Sequence, residues 1–144
     1  MKANADFPTI NEKKAEGISP GGVAYKVLVI DDSMFVRKQI SQILTSEGFE
    51  VIDQAENGLE GIEKYKEHSP GIDLVTLDIT MPKMDGVTAL EHIIAFDPEA
   101  KVVMISALGK QDLVKKALLA GAKNYIVKPL DRKKVLERIT AILD

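Results

Sequence analysis

Four short runs, Val27-Leu28-Val29-Ile30, Leu74 to Leu77, Val102 to Ile105 and Tyr125-Ile126-Val127, carry almost no polar alternation. A strand that is apolar on both faces has to be covered on both, and a parallel sheet packed between two layers of helix meets that demand. The segments between these runs supply the helices. Val36, Ile40, Ile43 and Leu44 recur at helical spacing, with Gly48 placed to end the helix. A further strand is predicted near Glu50 to Gln54, after which Asn57-Gly58 turns the chain into a helix from about Leu59 to Glu67. Helices are predicted likewise from Val87 to about Phe96, from Gln111 to Ala120 with Gly121 as the stop, and in a last segment lined by Val135, Leu136, Ile139, Ile142 and Leu143. Five strands alternating with five helices predict an open three-layer α/β fold, because a closed barrel of this kind needs eight repeats.

In a chain of 144 residues this pattern occupies one domain, residues 25–144, and leaves 1–24 outside it. The leading segment mixes charges with Pro8, Pro20 and Gly21-Gly22, and its scattered Phe7, Ile10 and Ile18 bury too little to offset the entropy of ordering. It is read as a flexible or loosely attached tail, the alternative being a short arm whose Phe7 and Ile10 dock on this domain or on a partner. A formal net charge of -3 gives no basic field for nucleic acid. The lack of cysteine removes disulfides, thiolate nucleophiles and Cys-based zinc sites, and fits the cytoplasm. His68 and His92 lack paired ligand spacing and are read as surface residues. Every apolar run is too short to span a bilayer. The expectation is a soluble, cytoplasmic monomer without membrane insertion or a nucleic-acid partner.

The polar residues at the ends of the apolar runs point to chemistry. Asp31 and Asp32 follow the first strand, Asp78 the third, Ser106 the fourth and Lys128 the fifth. In open parallel sheets ligands bind at the carboxyl ends of the strands where the strand order reverses, and in the flavodoxin-like order 2-1-3-4-5 these four strands are neighbours. Three carboxylates packed together do not all stay ionised without a compensating cation. A hard divalent ion with oxygen ligands suits them, and Mg²⁺ binds through one or two carboxylates while keeping waters and accepting phosphate oxygens. Asp32 and Asp78 are therefore expected as direct ligands, Asp31 close by or through water, and the backbone carbonyl of Thr80 as a further ligand. Asp78, at the centre, is then available as a nucleophile toward phosphorus, with Lys128 pairing one phosphoryl oxygen and Ser106 hydrogen-bonding another. Taken singly, the acids read equally well as helix caps, Ser106 as a turn former and Lys128 as a solvated lysine. No capping role, however, accounts for a lysine beside three acids. Pro129 restricts the backbone from which the Lys128 side chain starts.

With these residues in place, the chain from roughly Tyr25 to Asp144 resembles the receiver domains of two-component response regulators. The resemblance is carried by "VIDDS" with Asp31 and Asp32, "LDITMPKMDG" with Asp78, "ISA" with Ser106 and "AGAKNYIVKP" with Tyr125 and Lys128. Within that family "DDSMFVR" and "SALGKQDLVKKALLAGAKNYIVKP" are similar to the chemotaxis type. The resemblance implies Mg²⁺-dependent phosphorylation of Asp78 by the histidine kinase of the chemoreceptor array, then binding of the phosphorylated form to the flagellar motor switch. It implies a phosphoacceptor that assists its own phosphotransfer and dephosphorylation rather than an enzyme turning over substrate. Ser106 is expected to move toward the phosphoryl group and Tyr125 to turn inward, biasing the surface around the fourth helix, fifth strand and fifth helix. Thr80 and Leu108 flank the site at positions that vary within the family. An apolar Leu108 implies slow self-dephosphorylation and hence an auxiliary phosphatase. The 1–24 extension departs from the common receiver.

Three rivals define the alternatives. Asp78-Ile79-Thr80 faintly resembles the nucleophile loop of haloacid-dehalogenase-type phosphatases, yet Thr80 is no general acid. A flavin-binding module needs small hydroxyl and Gly residues after the first strand, where Asp31-Asp32 would repel a phosphate. A phosphorelay intermediate or a receiver outside motility would keep the same site.

Overall fold

A computed structural model describes residues 15–143. The chain alternates β1 (Lys26–Ile30), α1 (Met34–Thr45), β2 (Glu50–Ala55), α2 (Gly58–His68), β3 (Leu74–Asp78), α3 (Gly86–Phe96), β4 (Val102–Ser106), α4 (Gln111–Leu119), β5 (Asn124–Val127) and α5 (Arg132–Leu143). The five strands lie in the order β2-β1-β3-β4-β5, every neighbouring pair parallel. This is the expected flavodoxin-like architecture.

The uninterrupted apolar runs divide their side chains between two layers. Val27 and Val29 of β1 pack with Ile40 and Leu44 of α1 and with Val135 and Ile139 of α5. Leu28 and Ile30 face the other way, into a layer with Tyr65 of α2, Leu90 and Ile93 of α3, and Ala117 of α4. These four β1 residues, Val27 to Ile30, are essentially without solvent contact. Two covered faces thus explain why the strands read as continuous apolar runs.

The observed ladders run one residue beyond two of the predicted ends. Asp78 still pairs opposite Ile105, and Ser106 opposite Val127. Both are therefore the last residues of their strands rather than the first residues after them. Strand pairing fixes their backbones, so sheet geometry rather than a loop sets where their side chains start.

The chain leaves β1 toward β2 and returns on the other side as β3, so the order reverses between β1 and β3. The first helix takes its cap from Ser33, whose Oγ accepts from Val36 N at 3.2 Å, and Gly48 lies beyond its end at φ 87°. Residues 15–24 fold against the α1–β2 corner. Gly17 N donates to the Glu47 carbonyl at 2.7 Å, Tyr25 N donates to the Gly17 carbonyl at 2.8 Å, and Ile18 bridges Ala24. Phe7 and Ile10 lie outside the described residues. Among the described residues no helix is long and apolar enough to cross a membrane.

Candidate functional site

The site forms where β1, β3, β4 and β5 end. Beyond β1, Asp31 N still donates to the Ala55 carbonyl at 3.0 Å, which carries the β1 backbone one step past its named strand. Its Oδ1 accepts from Ser33 N at 2.9 Å. Because Ser33 caps α1, Asp31 and Asp32 are released from that duty. Asp31 and Asp78 are buried while Asp32 is exposed, and one carboxylate oxygen from each lies within 4.8 Å of the others. Lys128 reaches in from the end of β5, its Nζ 3.5 Å from Asp78 Oδ1 and 3.6 Å from Asp31 Oδ2. The Lys128 backbone N–H donates to the Ser106 carbonyl at 2.7 Å and so ties the β4 and β5 ends together. The Lys128–Pro129 peptide bond is cis.

Electrostatics follow from this crowding. Burial pushes the Asp78 carboxyl up to about 7, the Asp31 charge pushes the same way, and the Lys128 ammonium pulls against both. Asp31 is raised too, first by burial and further by the Asp32 charge, against the Ser33 N–H and Lys128. One ammonium faces three carboxyl groups, so full ionisation of the cluster would leave negative charge uncompensated. Asp31 Oδ2 is moreover fully buried without a hydrogen-bond partner. An orphaned buried oxygen within an all-oxygen donor set fits a hard divalent cation, with Asp31, Asp32 and Asp78 as the groups able to hold it.

The other predicted residues sit around this cluster rather than in it. Ser106 is buried, and its Oγ donates to the Ala107 carbonyl at 2.8 Å. Tyr125 is half-buried on β5, with the Arg138 guanidinium 4.8 Å from its ring centroid. Leu108 is 80% exposed. Ser106, Leu108 and Tyr125 share a groove of about 220 Å³ lined also by Val114 and Leu118 of α4. Thr80 is exposed in the loop that follows β3. His68, read from sequence as a plain surface residue, is half-buried with Nε2 2.9 Å from Asp53 Oδ2. It links α2 to β2.

Two residues that shape the site escaped the sequence reading. Gly86 opens α3 against the end of β3, where a Cβ would sit 2.1 Å from the Asp78 carbonyl oxygen. Its own N–H donates to the Ile79 carbonyl at 2.6 Å. The glycine ending "KMDG" was visible as a turn signal, but the backbone it touches was not. The second is Arg37, whose Nη1 donates to the Asp31 carbonyl at 2.7 Å. No side-chain pattern announces a contact to a carbonyl.

Comparison with known proteins bears on the same residues. A family model for the response regulator receiver domain matches residues 27–140. The chain is 70% identical over 143 residues to the chemotaxis protein CheY of Treponema pallidum, covering 99% of each. It is 52% identical over 122 residues to the chemotaxis protein CheY of Bacillus subtilis, covering 85% of this chain and 100% of the relative. Among solved structures it is similar to a chain of the CheX-CheY-BeF₃-Mg²⁺ complex from Borrelia burgdorferi. That likeness has a TM-score of 0.88 at 56% identity, over 92% of this chain and 99% of the other. A receiver model matched across nearly the whole sheet, and relatives this similar over almost their full length, leave one conclusion: the chain belongs to the response regulator receiver family, as a receiver of the CheY type.

Proposed function

We propose that Asp78 accepts a phosphoryl group from the phosphohistidine of a chemotaxis histidine kinase. The observation that carries this is the buried Asp78 carboxylate, 3.5 Å from Lys128 Nζ and grouped with Asp31 and Asp32 at the point where the strand order reverses. An Asp78 carboxylate oxygen attacks phosphorus, the P–N bond to the donor imidazole breaks, and the bond's electron pair leaves with the imidazole nitrogen. Lys128 pairs with a phosphoryl oxygen and offsets its charge. The Ser106 hydroxyl exchanges its bond to the Ala107 carbonyl for one to another phosphoryl oxygen. Asp32, Asp78 and the Thr80 carbonyl would hold Mg²⁺ directly, with Asp31 close by or through water, and the bound ion would neutralise carboxylate and phosphoryl charge. Water later attacks the phosphorus of the acyl phosphate, the P–O bond to Asp78 breaks with its electron pair on the Asp78 carboxylate, and inorganic phosphate departs.

Release of Ser106 from Ala107 alters the wall of the groove that Tyr125 shares. Tyr125 turns into that groove, and the outer face of α4, β5 and α5 is biased toward a form that binds the flagellar motor switch. An auxiliary phosphatase resets the acyl phosphate, and the cycle runs in the cytoplasm on a monomer. The test is transfer of radiolabelled phosphate from the autophosphorylated array kinase, followed by capture on immobilised motor-switch protein. Wild type is expected to take the label and be retained, and Asp78→Asn to do neither. Label transfer that survives Asp78→Asn overturns the assignment.

A further inference from the structure

We propose that Arg37 is a positioning residue for the cation-holding carboxylates, acting through the main chain of Asp31; the inference rests on the reading of Asp31, Asp32 and Asp78 as a cation-assisted phosphoacceptor site. Arg37 stands in the first turn of α1, where its backbone N–H donates to the Ser33 carbonyl at 2.9 Å. Its half-buried side chain turns back toward the sheet. Nη1 donates to the Asp31 carbonyl at 2.7 Å, and Nε donates to Gln54 Oε1 on β2 at 3.2 Å. One rigid guanidinium thereby spans three elements: the helix it grows from, the turn after β1, and the neighbouring strand.

The effect on Asp31 can be followed atom by atom. Its N–H is held by Ala55, its carbonyl by Arg37 and its Oδ1 by Ser33 N. Only Oδ2 has no hydrogen-bond partner, and Oδ2 is the atom that faces Lys128 at 3.6 Å. The Asp31 carbonyl belongs to the peptide joining Asp31 to Asp32, so its orientation sets where both carboxylates begin. Three carboxylates brought together without a cation repel one another, and that repulsion would splay the β1–α1 turn. A charge-assisted hydrogen bond to the turn, anchored at a second point on β2, holds it in the cation-ready form beforehand. Partners of this kind behind a ligand commonly affect metal affinity about 10–100-fold.

The competing view is that Arg37 merely satisfies a carbonyl that would otherwise lack a partner. In that case its loss lowers stability and leaves cation affinity of the folded protein unchanged. The test titrates Mg²⁺ into full-length wild type, Arg37→Met, Gln54→Met and the double variant by calorimetry, with urea unfolding measured in parallel. Arg37→Met is expected to weaken Mg²⁺ binding about 10-fold and Gln54→Met about 3-fold. The double variant should be no weaker than Arg37→Met within about twofold, because the two residues act as one clamp. At saturating Mg²⁺ the acetyl phosphate reaction should return to near the wild-type rate, placing the loss in the Mg²⁺ requirement. Mg²⁺ affinity within about twofold of wild type in both single variants overturns the proposal, whatever their urea midpoints. Should Arg37→Met fail to fold, Gln54→Met against wild type decides by the same criterion. Wild type that takes up no Mg²⁺ would overturn the reading of the site itself, a separate outcome.

Discussion

Asp78, the proposed phosphoacceptor, sits where burial and neighbouring carboxylate charge cost stability. A carboxyl raised above its unfolded value favours folding most below the ordinary carboxylate range, and that contribution is lost as pH rises through about 7. Without Mg²⁺, stability in urea should therefore fall between pH 5 and pH 8, and Asp78→Asn should be the more stable protein at pH 8 by about 1–3 kcal/mol. Added Mg²⁺ should raise wild type and leave the variant nearly unmoved. A variant less stable than wild type at pH 8 would contradict the crowding of charge. Leu108, 80% exposed at the rim of the Ser106–Tyr125 groove, lends itself to a kinetic check. If it limits water at the acyl phosphate, Leu108→Asn should shorten the phosphoprotein half-life about threefold or more, an increment of the size that one displaced apolar group supplies. Unchanged decay in stopped-phosphorylation assays would remove Leu108 from that role. At this scale the sequence was legible wherever a polar residue ended an apolar run, which exposed Asp31, Asp32, Asp78, Ser106 and Lys128. Arg37 and Gly86 stayed hidden because both act on backbone atoms, and backbone atoms are the same in every sequence.

Among the helices, α4 differs at its start. α1, α2 and α3 each have a side-chain cap, from Ser33, Asn57 and Asp85, whereas Lys110 before α4 makes no capping bond and follows Gly109 at φ 90°. An uncapped first turn lacks about 1 kcal/mol of local support. Amides of 111–113 should accordingly exchange with deuterium faster than those of the first turns of α1 and α3, in an element that the proposed switch needs to shift. Equal protection would argue against a loosely held α4. α3 is the opposite case: Gly86 must let the helix close on the end of β3. Gly86→Ala puts a Cβ against the Asp78 carbonyl and should cost about 1–3 kcal/mol in urea unfolding while impairing phosphorylation. Element positions were readable because the apolar strand runs and the helical period of 3.6 are both strong in this chain. The ends of β3 and β4 were not, since a polar residue at a strand end looks like loop until its ladder partner is known.

On the scale of the whole molecule, parallel order and two apolar layers bring residues from opposite ends of the domain, Asp31 and Lys128, to within 3.6 Å. The apolar runs pointed to a parallel sheet covered on both faces, and the order of its strands was expected from the flavodoxin-like arrangement that such a sheet adopts. It did not reach residues 15–24, whose backbone bonds to Glu47 and Tyr25 depend on a corner that exists only once α1 and β2 are packed. The central claim, that the fold assembles a cation-assisted phosphoacceptor at Asp78, has one direct test. Folded full-length protein is exposed to acetyl phosphate with and without Mg²⁺, then examined by intact mass and peptide mapping beside Asp78→Asn. A single phosphoryl group that requires Mg²⁺, maps to Asp78 and is missing from the variant is the predicted result. A phosphoryl group that forms equally without Mg²⁺, or that persists in Asp78→Asn, would contradict the account.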